Sequence, residues 1–181
     1  DKKIPTFLLD LSSHMHNLSY FLTGKQPKRI FSNFSRYSKL KVVDNAFTQL
    51  DFDDGVKAIH WASKVAYGHR NSLKVRVFCS RGSAEWIHSK PEELKISSNG
   101  SLSTIIDRAS KKSSVKSSRY NRFKVGHPSG FMEAFANIYF DIAKALLSYK
   151  KNKKYSNEFV FNQNFELQNM EILTKSTISN K

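Results

Sequence analysis

The chain has 181 residues, 39% hydrophobic and 13% aromatic, which is enough for one well-buried core and excludes global disorder. One cysteine, Cys79, excludes an internal disulfide framework and suits a reducing, cytoplasmic setting; no apolar run reaches the ~20 residues of a membrane span, and no signal peptide opens the chain. The formal charge of +15 raises a polyanion partner, but the basic residues are scattered along the chain, so nucleic-acid binding rests on charge alone.

In chain order, Phe7 to Leu22 predicts a helix, with Phe7, Leu8, Leu11, Met15, Leu18 and Leu22 recurring at three- and four-residue steps. Gly24 is its expected C-terminal cap, and Pro27 lies just beyond. Asp10, His14 and Asn17 share a different face of that helix. From Ile30 to about Ile106 the period becomes two. Ala46, Thr48, Leu50 and Phe52 alternate with Phe47, Gln49 and Asp51, and Asp53-Asp54-Gly55 turns the chain into a returning strand over Val56 to Val65. Leu73, Val75, Val77 and Cys79 make the next alternating set, followed by Ala84 to His88, Leu94 to Ser97 and an Asn99-Gly100 turn. Short strands joined by tight turns predict one open, mainly antiparallel sheet.

A second helix is expected from about Gly130 to Tyr149. Phe131, Phe135, Ile138, Tyr139, Ile142 and Leu146 form a broad apolar band, opposite a narrow stripe of Glu133, Asn137, Asp141 and Lys144. That ratio of faces predicts a helix lying with its apolar band against the sheet. Lys150 to Lys154 makes a basic exit, and Phe165 to Lys175 a short final helix. The class is therefore α+β, with helices on one face of the sheet. Phe47, Ile59, Trp61, Val65, Phe78 and Ile87 are left for the other face, where a second copy of the sheet would form an isologous dimer.

Few residues offer chemistry. Asp10 and His14, at i and i+4 on a helix, place a carboxylate beside an imidazole, which fixes the tautomer and raises the basicity. The same spacing also makes ordinary helix-surface hydrogen bonds, which are common, and spacing alone favours that reading. His14 and His16 point in opposite directions, and no cluster completes a ligand set, so no metal site is expected. His127, between Gly126 and Pro128, precedes a helix whose first amides can bind anionic or hydroxyl groups. His69 is a second turn-borne candidate. The run from Arg108 to Lys124, with Lys111, Lys112, Lys116, Arg119 and Arg122 among serines, reads as a solvated loop, with anion binding as the alternative. No G-x-G-x-x-G, P-loop or G-x-S-x-G occurs, so the sequence carries no nucleotide-binding loop.

Asp10-Leu11-Ser12-Ser13-His14 resembles the D-x-x-x-H motif of the Gfo/Idh/MocA oxidoreductases. The run from Gly126 to Tyr139 is similar to that family's GHPEGF-EAFANLY segment, with Ser129 in place of the glutamate. Trp61-Ala62-Ser63, Gly68-His69 and Ala84-Glu85-Trp86 match a sugar-dehydrogenase branch in order and spacing, so that the resemblance covers roughly Leu8 to Leu147. It implies a C-terminal substrate-binding and oligomerisation domain over 1–150, with 151–181 as a basic exit and C-terminal segment of the same domain. Asp10 and His14 would be catalytic, His14 helping to remove the substrate hydroxyl proton, and His127, His69, Asn17 and Trp61 would bind a sugar, polyol or derivative. NAD or NADP would belong to a Rossmann domain supplied in cis or in trans, together with the lysine of an E-K-P motif. This chain alone is expected to bind neither cofactor. The sequence departs from the family pattern at Ile4-Pro5-Thr6-Phe7 and at Ser12, where glycines are usual. A non-catalytic remnant that keeps only the self-associating sheet is the alternative reading, and a basic nucleic-acid-binding module the third.

Overall fold

The alternating segments pair about the turns marked in the sequence. The computed structural model describes residues 3–100, 102–111, 118–155, 157 and 159–180; Lys112 and Lys116 lie outside the described residues. Two compact units emerge, one made of Asp1–Gly68 with Phe161–Lys181, the other of His69–Val160.

In the first unit, β1 (Arg29–Ser35), β2 (Asn45–Asp51) and β3 (Lys57–Ser63) form an antiparallel sheet in that order. Gly55, at φ 79°, takes the left-handed conformation of the Asp53-Asp54-Gly55 turn, and Asp51 stands opposite Lys57 across it. Pleating then separates two faces. Ser32, Ala46, Thr48, Leu50 and Ala62 are buried, whereas Phe31, Phe47, Ile59 and Trp61 of the opposite face are exposed.

The inner face is covered by two helices. A π-helical segment, Leu8–Ser12, runs into α1 (Ser13–Thr23), which Gly24 ends with φ 67° and an N–H donated to the Tyr20 carbonyl at 2.7 Å. The last helix, Gln163–Ile178, starts where the Asn162 side chain accepts from the Phe165 N–H. It packs on β1 and α1, and beyond it Asn180 Oδ1 accepts from Phe34 N–H at 2.7 Å. Phe7, Leu8, Ala46, Ala62 and Leu173 form the core, joined by Leu11, Met15 and Phe34.

The buried line of the first helix differs from the predicted stripe. Leu8, Ser12 and His16 face inward, while Leu22 is 50% exposed. The cause is the π turn, closed by the Ser13 N–H on the Leu8 carbonyl, which takes up one residue more than an α turn and shifts the helical phase.

In the second unit, β4 (Lys74–Cys79), β5 (Gly82–Ile87), β6 (Leu94–Ser98) and β7 (Thr104–Ile106) form a four-stranded antiparallel sheet. The α+β class and the antiparallel pairing agree with the sequence, but the hydrogen bonding divides the described strands between two sheets instead of one. Helix α2 spans Phe131–Asn152. With α2 so placed, the final helix is α3. The orientation of α2 reverses the expectation: all six residues of its apolar band are exposed, and Asp141 and Ala145 of the opposite side are buried. The reason lies in the arginines of the preceding loop. Arg119 donates two hydrogen bonds to the Asp141 carboxylate, at 2.9 and 2.7 Å, and Arg122 donates to Asn137 Oδ1 at 2.6 Å. A paired, doubly bonded carboxylate can be buried where a lone one cannot.

Candidate functional site

Asp10 sits within the π segment and His14 on the first turn of α1, both on the exposed side of the helix. The nearest partner of Asp10 is one that spacing did not suggest: Lys64, just past the end of β3, donates from Nζ to Asp10 Oδ2 at 2.7 Å. This bond and the lysine charge hold the Asp10 carboxyl below the usual carboxylate range, with His14 adding a smaller effect of the same sign. The result is an ionised acceptor, an ammonium donor and an imidazole on one surface. Such a set can accept hydrogen bonds from hydroxyl groups and donate hydrogen bonds to them. Asn17, further along α1, is partly buried, and its Oδ1 finds no hydrogen-bond partner among the described residues.

Trp61 stands apart from this group. Its indole N–H donates to Asn45 Oδ1 at 2.9 Å, and its ring stacks on Phe47 with centroids 5.7 Å apart. Alternation along β3 puts it on the sheet face opposite the one that carries His60 and meets α1.

His69 and His127 belong to the second unit and are both exposed. His69 Nδ1 is 3.3 Å from the Ser72 hydroxyl. His127 lies in a turn held by its own N–H on the Lys124 carbonyl, and its carbonyl accepts from Arg108. The helix start behind it differs from the anion cradle suggested by sequence. Glu133 Oε2 already accepts from the Gly130 N–H at 2.6 Å, and its carboxylate opposes an anion there. That same hydrogen bond keeps the Glu133 carboxyl below its ordinary range.

The basic loop is likewise not simply solvated. Arg108 pairs with Glu92 at 2.7 Å and donates to the Phe123 carbonyl at 3.1 Å, while Arg119 and Arg122 serve α2 as described. These arginines have structural partners, which removes much of the cationic surface that an anion-binding reading needs. No group of three or more potential metal ligands occurs among the described residues. Nor do those residues join a parallel strand to a helix through a glycine-rich loop.

Residues 3–85, which include Asp10, His14, Asn17, Trp61, Lys64 and His69, match the sequence model of the GFO/IDH/MocA C-terminal domain. Over those residues the chain is similar to a GFO/IDH/MocA C-terminal domain. The chain is 28% identical over 146 residues to the uncharacterized oxidoreductase YfiI of Bacillus subtilis (strain 168), a match that spans 78% of this chain and 37% of that protein. An oxidoreductase from Sinorhizobium meliloti superposes with a TM-score of 0.82 at 28% identity, over 95% of this chain and 49% of that one. An inositol dehydrogenase homolog from Azotobacter vinelandii, complexed with NADH and myo-inositol, shares the fold with a TM-score of 0.82 at 23% identity, over 94% of this chain and 46% of that one. The chain thus spans about half the length, or less, of these relatives.

Proposed function

We propose that this domain binds the substrate and mediates self-association in an NAD(P)-dependent oxidoreductase acting on a sugar, polyol or related compound. The observation that carries the reading is the exposed Asp10–Lys64 pair, with His14 one turn further on, inside the segment that matches the family. Asp10, held ionised, accepts a hydrogen bond from a substrate hydroxyl; His14 takes the proton from the hydroxyl that is oxidised; Asn17 lends a further polar contact. His69 and His127 are assigned to substrate binding on the same reading. Nicotinamide, when bound to a partner domain in cis or in trans, supplies the redox chemistry. The polyol and NADH held by the Azotobacter vinelandii homolog support this choice of substrate and cofactor class.

Self-association is assigned to the outer face of the three-stranded sheet, where Phe31, Phe47, Ile59 and Trp61 remain exposed. Trp61 has its role there, rather than beside Asp10. A cytoplasmic setting suits the single exposed Cys79.

The test is polyol-dependent reduction of NAD or NADP by the polypeptide together with its dinucleotide-binding partner. His14→Ala is expected to abolish turnover and leave folding intact; full activity in that variant would refute the assignment. Quenching of tryptophan fluorescence by NADH on this chain alone is expected to be absent, and tight binding would move the cofactor site into this domain.

A further inference from the structure

Behind the exposed Asp10 and His14, the same helix buries another imidazole. His16 is 1% exposed, and neither of its ring nitrogens finds a hydrogen-bond partner among the described residues. Its ring lies parallel to that of Phe165 on α3, with centroids 6.2 Å apart. On β3, His60 Nε2 and the Ser19 hydroxyl of α1 share a hydrogen bond of 2.7 Å, a direct polar link between that helix and the sheet. A cavity of about 10 Å³ is lined by both imidazoles, the hydroxyls of Ser12, Thr48 and Ser176, and apolar neighbours including Leu50. That is room for about one water molecule and no counter-ion.

The charged groups around this cavity are few. No carboxylate lines it from the π segment, β2, β3 or α3. Glu166 acts on His16 from α3, Gln26 approaches it without a charge from the loop before β1, and each imidazolium would repel the other. Asp10 and Lys64 satisfy each other on the exposed side of the helix. Tyr20 packs against Phe165, 4.7 Å between ring centroids. A proton on either histidine would therefore create an imidazolium with little to balance it.

We propose that His16 and His60 form an acid-sensitive joint that holds the first helix on its sheet while both rings are neutral and loosens it when one becomes charged. Burial pushes His60 down to about 4, with the charge of His16 as the second cause. Burial lowers His16 as well, against the opposing effects of Gln26 and Glu166. An unfolded imidazole takes its proton near ~6.5. The folded state then binds fewer protons than the unfolded one between that value and the folded one. Stability is present above the unfolded value and is lost as pH falls through the folded one. Asp10 and His14 ride on the helix that loosens, so acid would displace the candidate site.

Histidine ring spectra and amide hydrogen exchange of the full chain, followed from neutral pH to acid, test the joint. His16 and His60 should stay neutral well below ~6.5 and charge only as the amides of residues 13–23 lose protection. His60→Gln keeps a possible hydrogen bond to Ser19 but cannot be charged. Across the same pH range, the folding equilibrium constant of the wild-type chain should fall by about a hundredfold more than that of the variant. Titration of both rings near ~6.5 with no change in helix protection would overturn the proposal. Identical pH dependence of variant and wild type would do the same. If the variant does not fold, the wild-type ring titration decides alone.

Discussion

Lys64 and Asp10, 54 positions apart in the sequence, meet at 2.7 Å where the end of β3 passes the π segment of the first helix. The pair shows why a carboxylate that spacing assigns to His14 is held ionised chiefly by another residue. Lys64→Met should raise the Asp10 carboxyl toward the ordinary range, since hydrogen bond and charge are lost together. Side-chain carboxyl NMR across the acid range would report the upward shift; an unmoved midpoint would mean that Lys64 does not control Asp10.

The buried partner of Arg119 makes the second unit sensitive to charge removal. Asp141→Asn removes the buried carboxylate that accepts both hydrogen bonds from Arg119 and should cost about 2–3 kcal/mol, read by urea unfolding with hydrogen exchange along α2. Arg119→Lys should recover only part of the loss, because an ammonium cannot make the two-pronged contact. Arg119, with Asn157 assisting, holds the Asp141 carboxyl below the usual range, so its stabilisation is present above the unfolded value and is lost as pH falls through the folded one.

Gly82 pairs with Ser98 across the β5–β6 ladder, and a Cβ at that position would meet the Ser97 carbonyl oxygen at 2.3 Å. Gly82→Ala should therefore destabilise the four-stranded sheet by about 1–3 kcal/mol. Thermal unfolding measures it; an unchanged midpoint would show that the ladder can shift without cost.

Ile59→Lys and Trp61→Glu place charges on the outer face of the three-stranded sheet. Light scattering at micromolar concentration should give a multiple of the chain mass for the wild-type protein and a single-chain mass for the double variant. A single-chain mass for both would remove this face as the self-association surface.

Local signals carried well from sequence to structure, and non-local ones did not. The Asp53-Asp54-Gly55 turn and the alternation on either side of it placed β2 and β3, because strand period and turn chemistry are properties of neighbouring residues. Gly24 ended the first helix as expected. The orientation of α2 was illegible because it depends on Arg119 and Arg122 reaching residues 15 to 22 positions away. The π turn carries no compositional mark, so the phase of the first helix and the burial of His16 were hidden with it. Lys64 was missed for the same reason as Arg119: its partner is set by topology. The positions of Asp10 and His14 on an exposed helix surface were readable, since both lie on one helix four residues apart.

On the proposed function, Asp10, His14 and Lys64 form a polyol-binding surface. Titrating the isotopically labelled chain with myo-inositol, and following its amide and histidine resonances, tests this most directly. Saturable shifts concentrated at residues 8–17 and at Lys64, weakened in His14→Ala, are expected; shifts elsewhere, shifts unaffected by that substitution, or none up to the solubility of the polyol would contradict such a surface.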